Sequence, residues 1–397
     1  MKTDQPYQAN YFFIVSCLSI ILGWMLQGCA TVHRDREIFY LVDPNATHET
    51  RALYRNLLAL SQNHVLFGHQ DALAYGVGRR DNQQSFSDVK DVTSSYPAIY
   101  GWDIGHIAYD NNVDSVPFDL MIKYIREGYE RGGVITISWH ELSPRPHKPI
   151  WSREPKPALV IPGGEMHEEF RERLDMVGNF FNQLRDSKGR PIPVIFRPYH
   201  EHNGDWFWWC RHNSTEDEYI DLWRYTVHYL RDTLNINHLL YAISPDRSRM
   251  ETAHRDEDFL YAYPGNDYVD IIGLDNYWDA GGSSNFNPDI TREQQDSLFL
   301  LSLQTLVRIA EERGKIPALT ETGYNRLTAD DWFTSRILAP LREDSVARKI
   351  AWVLVWRNAW FSHFFAPYPG HPAADDFNRF RQDDIIIFEE DLPPMYQ

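Results

Sequence analysis

Eight short apolar runs, each separated from the next by a longer stretch, constrain what this chain can fold into more than any other feature. They are VLFGHQ (65–70), AIYGWDIG (98–105), GVITISWH (133–140), PVIFRPYHE (193–201), LLYAISPD (239–246), VDIIGLDNYW (269–278), IPALTETG (316–323) and AWVLVWRNAW (351–360). Between them lie stretches with helical periodicity, among them FDLMIKYIREGYERGG, EEFRERLDMVGNFFNQLRD, TEDEYIDLWRYTVHYLRDTL and TREQQDSLFLLSLQTLVRIAEERGK. The third opens with Thr215 and Glu218 at capping-box spacing, and the first stops at a glycine pair. Runs that stay apolar rather than alternating belong to strands covered on both faces, as in a parallel sheet. Eight strand–helix units therefore predict an α/β chain closed as a (β/α)8 TIM barrel, with an open doubly wound sheet as the alternative. The barrel is expected to fill residues 41–397 as a single catalytic domain.

Each run is apolar first and polar or aromatic last. His69 and Gln70, Trp102 and Asp103, Trp139 and His140, His200 and Glu201, Asp246, Asp275 and Tyr277, Glu321, then Trp356 and Asn358 all fall at run ends. In a barrel every parallel strand ends at the same face, so these groups converge on one cleft. Glu201 and Glu321 close the fourth and seventh runs. A glycosidic bond is cut by one carboxylic acid that protonates the leaving oxygen and a second carboxylate that meets the anomeric carbon; about 5 Å between them predicts retention. Partial burial beside His200 would keep Glu201 protonated, while hydrogen bonds from Arg197 or Tyr277 would keep Glu321 ionised. The alternative for either glutamate taken alone is a structural ion-pair partner, a reading that weakens when the two are taken together in aromatic company.

The balance of 39 basic against 56 acidic residues, net −17, argues against nucleic acid as a partner. Aromatic content of 14%, with 13 Trp, fits a cleft floored with flat apolar faces, as a neutral sugar chain requires, though core packing uses the same residues. Trp102, Trp208 and Trp209 are open to either reading, and His69 and His106 read as core histidines. The HEH of residues 200–202 lacks the further ligands of a zinc site, so neither metal nor cofactor is implied. A polysaccharide-binding protein that does not cut its ligand would also use aromatic stacking, but would have no need of two carboxylates at separate strand ends.

The N-terminus reads as an export signal. An apolar run from Tyr11 to Leu26 leads into LQGCA. L-x-G-C resembles the bacterial lipobox. That resemblance implies a signal peptide over 1–28, a lipidated Cys29, a tether over 29–40 and a membrane-anchored lipoprotein of the Gram-negative cell envelope. An uncleaved signal anchor is the alternative. With Cys17 removed and Cys29 acylated, Cys210 would be left alone and no disulfide framework is expected.

YGWDIGH, TISWH, FRPYHEHNGDWFWW, GLDNYW, PALTETGY and VWRNAW, in this order within about Leu66 to Trp360, resemble glycoside hydrolase family 26, best known for β-1,4-mannanases on a (β/α)8 barrel. The resemblance implies Glu201 as general acid/base and Glu321 as nucleophile, with His140, His200, Asp275, Tyr277 and Trp356 around the sugar at the scissile bond or orienting Glu321. Trp206 takes the position of a stacking platform beyond that bond, and Trp151 a matching place on the other side, although its loop, HELSPRPHKPIW, departs from the expected pattern. The implied substrate is β-mannan, cut by a monomer. Release of mannobiose from chain ends, with HELSPRPHKPIW and GRRDNQQSF (78–86) walling the cleft, and action on β-1,3-xylan or mixed-linkage glucan are the alternatives.

Overall fold

Every residue of the eight predicted strands is buried, which is why these runs show no polar–apolar alternation. In the computed structural model, which describes Met1 and residues 40–81, 84–145, 151–281 and 290–397, the strands are β1 Val65–Gln70, β2 Ile99–Asp103, β3 Val134–Trp139, β4 Val194–Pro198, β5 Leu239–Ile243, β6 Ile271–Asp275, β7 Ile316–Thr322 and β8 Trp352–Val355. All pair in parallel, each with its successor, and β8 returns to β1, so the sheet closes into a (β/α)8 barrel. The doubly wound alternative is thereby set aside. Most strands stop before the apolar runs do, because the last residues of each run leave the ladder and line the mouth.

The helices bury the faces their periodicity predicts. Phe118–Glu130 turns Met121, Tyr124, Ile125, Gly128 and Tyr129 inward, and Gly128 rests on the ring of Tyr100, where an added Cβ would lie 3.0 Å from that ring. The chain leaves this helix through Gly132, whose φ of 104° suits glycine. The capping box of Thr215 and Glu218 is present in both directions at the start of Glu216–His228, which runs on into a π-helical turn over Tyr229–Thr233. Each large side chain fully buried in this way contributes about 1.5–3 kcal/mol.

The N-terminal ends of the strands are covered. Val42 donates its N–H to Asp270 just ahead of β6. The helix His48–Leu60 crosses beneath, with Thr47 bonded to Asn237 ahead of β5 and Tyr54 to Gly314 ahead of β7. A short strand, β9 (Ile386–Ile387), pairs with the start of β1, and Tyr396 donates to Gly133 ahead of β3. This leaves the opposite mouth for chemistry. The predicted signal peptide, Cys29 and the tether fall on residues 2–39, outside the described residues; among the described ones no helix is long and apolar enough to cross a membrane.

Candidate active site

β4 delivers its acid through a distorted exit. After Pro198, Tyr199 and Glu201 both adopt left-handed backbone, φ 49° and 54°, a region that costs a residue with a Cβ about 1 kcal/mol or more. The surroundings impose it. Tyr199 is held by Thr226 through its hydroxyl and by Tyr219 at its carbonyl, and the N–H of Glu201 donates to Ser244 at the end of β5 over 2.7 Å. Asn203 adds two bonds to the backbone of Asp246, fastening the β4 exit to the β5 exit.

Glu201 meets Glu321 and Asp275 at the mouth, where one carboxylate oxygen from each lies within 4.8 Å of the others. The register between β6 and β7 shifts beside Asp275, which brings that residue opposite Glu321. Arg197 is the cation among them. It donates to Asp275 at 2.8 Å, to Ser244 at 2.9 Å and to Glu321 Oε1, while Tyr277 donates to Glu321 Oε2 at 3.0 Å. Thr320 and Ser244 complete the bonding of Asp275. Both donors expected for Glu321 are therefore in place.

The acids titrate differently because their partners differ. Burial pushes the Glu201 carboxyl well above the usual carboxylate range, and the negative charges of Asp246, Asp275 and Glu321 push it further; the Trp206 indole N–H, 2.7 Å from Oε2, opposes weakly. Burial lifts Asp275 to about 7 against the pull of Arg197. Of the two glutamates, Glu201 is thus the one whose surroundings favour the protonated form, beside a Glu321 held in an ion pair with Arg197.

His140 and His200 form a second unit. Their Nε2 atoms are 3.2 Å apart, and His140 Nδ1 is 2.7 Å from Asp103 at the end of β2. Burial disfavours charge on His140, but Asp103 first, with Glu321 and Asp114, raises its pKa on balance; burial, His140 and Arg197 together hold His200 well below the ordinary imidazole value. His202 turns away, bonding the Tyr261 carbonyl and stacking on Tyr219, so the HEH histidines do not converge. Glu141, next to His140, faces Arg173 instead of the cleft, and burial raises it to about 8.

The aromatic run after Gly204 divides. Phe207, Trp208 and Trp209 are buried core, as is Trp102, and only Trp206 stays at the cleft, its ring under Arg249 at 5.0 Å. Trp356 lies at the rim with its ring 6.1 Å from that of His140. Trp151, 62% exposed, stacks on Phe207 at 5.2 Å, and Phe207 in turn packs edge-on against both histidines. Strand-end reasoning brought Asp103 and Asp246 to the cleft without giving them a role, and it did not single out Ser244, Thr320 or Phe207. The position of Asp103 and Asp246 at the ends of apolar runs was their only signal.

A (β/α)8 barrel whose mouth sets a carboxyl with a raised pKa against an arginine-held carboxylate, with indoles at the rim, has the arrangement of a glycoside hydrolase. The model of glycosyl hydrolase family 26 matches residues 42–336, and the chain belongs to that family. It is 33% identical over 290 residues to a mannan endo-1,4-beta-mannosidase of Bifidobacterium adolescentis, an alignment covering 71% of this chain and 27% of that protein. A mannan endo-1,4-beta-mannosidase of Bacillus subtilis is 31% identical over 277 residues, 63% of this chain and 69% of the other. The chain thus spans only about a quarter of the first of these relatives. A GH26 beta-mannanase structure from Bacteroides ovatus superposes with a TM-score of 0.79 at 36% identity, covering 88% of this chain and 98% of the other.

Proposed function

We propose that this protein is a retaining β-mannanase that hydrolyses β-1,4-mannosidic bonds within mannan chains. The observation that carries the reading is the approach of Glu201 and Glu321 within 4.8 Å, the separation of a nucleophile from its acid rather than of two groups with water between. Glu321, fixed by Arg197 and Tyr277, attacks the anomeric carbon; the bond to the leaving oxygen breaks as Glu201 transfers its proton to that oxygen. The glycosyl ester has then removed the charge of Glu321, one of the charges that raise Glu201. The Glu201 carboxylate left behind can take a proton from water, whose oxygen attacks the anomeric carbon and releases Glu321. Each glutamate thereby returns to its starting state.

Mannan as the substrate is supported by the names of the relatives; mannobiose release, β-1,3-xylan and mixed-linkage glucan are separated from it by products. The discriminating variants are Glu201→Ala and Glu321→Ala. On mannan both should lose activity, Glu201→Ala by about 10²- to 10⁴-fold. On an aryl β-mannoside with a good leaving group, Glu201→Ala should give a burst of aryl product and a turnover that azide accelerates, whereas Glu321→Ala should give neither. Identical behaviour of the two, or an inverted first product by NMR, would overturn the mechanism. A broad ladder of early products from mannan supports internal cutting; mannobiose alone from the start points to release from chain ends. The lipobox supports a membrane-anchored location in the cell envelope, and Cys29→Ala should then leave the membrane fraction.

A further inference from the structure

Asp103 is fully buried at the end of β2, and each of its oxygens is occupied: Oδ1 accepts from the Gly105 N–H at 2.6 Å, and Oδ2 accepts from Ser138 Oγ at 2.6 Å and faces His140 Nδ1 at 2.7 Å. A buried carboxylate is stable only when paired. Among these partners His140 alone can carry the balancing charge, so Nδ1 bears the hydrogen. The fit is tight, since a Cβ on Gly105 would lie 2.7 Å from the His140 carbonyl oxygen and 2.8 Å from Asp103 Oδ1. With Nδ1 committed, Nε2 is the only atom through which His140 can act on anything else, and it lies 3.2 Å from His200 Nε2.

We propose that Asp103 is a positioning residue of the glycosidase reaction, fixing the His140 ring through its Nδ1–H so that the His140–His200 pair presents one defined set of hydrogens beside Glu321. The proposal rests on the reading of Glu201 and Glu321 as the reacting carboxylates. When His140 carries both hydrogens, its Nε2–H donates to His200 Nε2 and the hydrogen of His200 stays on Nδ1. Once His140 loses a proton it is Nε2 that becomes bare, because Asp103 retains Nδ1–H, and His200 must change tautomer to donate across the pair. Burial, His200 and His106 oppose the charge on His140, while Asp103, Glu321 and Asp114 favour it. Asp103 is the strongest of the favouring groups and makes the only direct contact among them.

The test is Asp103→Asn, which keeps an oxygen to accept from Nδ1–H and removes the charge, with Asp103→Glu as the conservative variant. Rates are read as kcat/KM on an activated aryl β-mannoside, where the acid role of Glu201 is not needed. The basic limb of the wild-type profile should move to lower pH by about one unit or more in Asp103→Asn, a loss of about tenfold per unit above the limb, and part of it should return in Asp103→Glu. Nitrogen NMR of labelled histidine, which needs no substrate, should show His140 losing its second proton at lower pH in Asp103→Asn than in the wild type. A limb that stays in place, a rate loss equal at every pH with a lowered Tm, or an unchanged His140 signal would overturn the proposal. Absence of wild-type activity on β-mannosides would instead refute the functional reading, and the NMR comparison would still decide the role of Asp103.

Discussion

Arg197→Met measures how far the barrel depends on one buried cation. Arg197 is 4% exposed and bonds Asp275, Ser244 and Glu321 at once. Methionine keeps much of the length and leaves two carboxylates without their counter-ion. Removing one member of a buried ion pair costs about 3–5 kcal/mol. Unfolding entropy of about 2.1 cal/mol/K per residue, over roughly 360 residues, gives about 0.75 kcal/mol/K, so Tm should fall by about 4–7 °C in mild alkali. The fall should be smaller in acid, and Asp275 sets the sign. Its carboxyl is raised from 3.8 to about 7 in the fold, so below pH 7 the folded wild type tends to keep that proton and loses little when the cation goes. Above pH 7 the wild type ionises Asp275 against Arg197, which the variant cannot do, and the difference grows. Calorimetry at about pH 5.5 and about pH 8.5, with kcat/KM on the same samples, is the assay. Activity should fall by about 10²-fold or more throughout, because Glu321 loses the donor that fixes Oε1. A Tm shift below about one degree at the higher pH, or equal shifts at both, would refute the argument that Arg197 compensates these two charges.

Trp206→Phe removes the donor that favours the ionised form of Glu201, so the carboxyl should titrate higher still and the basic limb of kcat/KM on mannan should move to higher pH; a downward shift would contradict the role assigned to that bond. Gly273→Ala would place a Cβ 2.6 Å from both Cγ2 and Oγ1 of Thr320, whose hydroxyl donates to Asp275 at 2.6 Å. It should destabilise by about 1–3 kcal/mol in a thermal melt, and adding Thr320→Ser, which deletes Cγ2, should recover part of the loss.

The barrel and its two glutamates were legible because strands buried on both faces cannot hide their composition, and because polar residues ending such strands have only the mouth to occupy. The partners were not. Arg197 and Tyr277 appeared as candidate donors to Glu321, but nothing in the local sequence says that Ser244 and Thr320 will also bond Asp275 from 31 and 45 residues away. Asp103 ended a run as visibly as Glu201 did, yet its meaning depends on His140, 37 residues on. The indoles could not be placed from the sequence. Trp208 and Trp209 were open between cleft and core, and the left-handed turns at Tyr199 and Glu201 fold this segment back so that Phe207, Trp208 and Trp209 fill the core. Local pattern identifies a mouth-facing residue only while the strand geometry continues, and here it stops at Pro198.

The closed end of the barrel carries a practical corollary for handling the enzyme. Residues 42–47 enter beside Asp270 and Asn237, and Tyr396 leaves beside Gly133, all ahead of the N-terminal ends of strands. Glu201, Asp275 and Glu321 occupy the other end. A bead, surface or fusion partner coupled near residue 40 or residue 397 would therefore lie behind the barrel, with the mouth that carries Glu201, Asp275 and Glu321 turned away from the support.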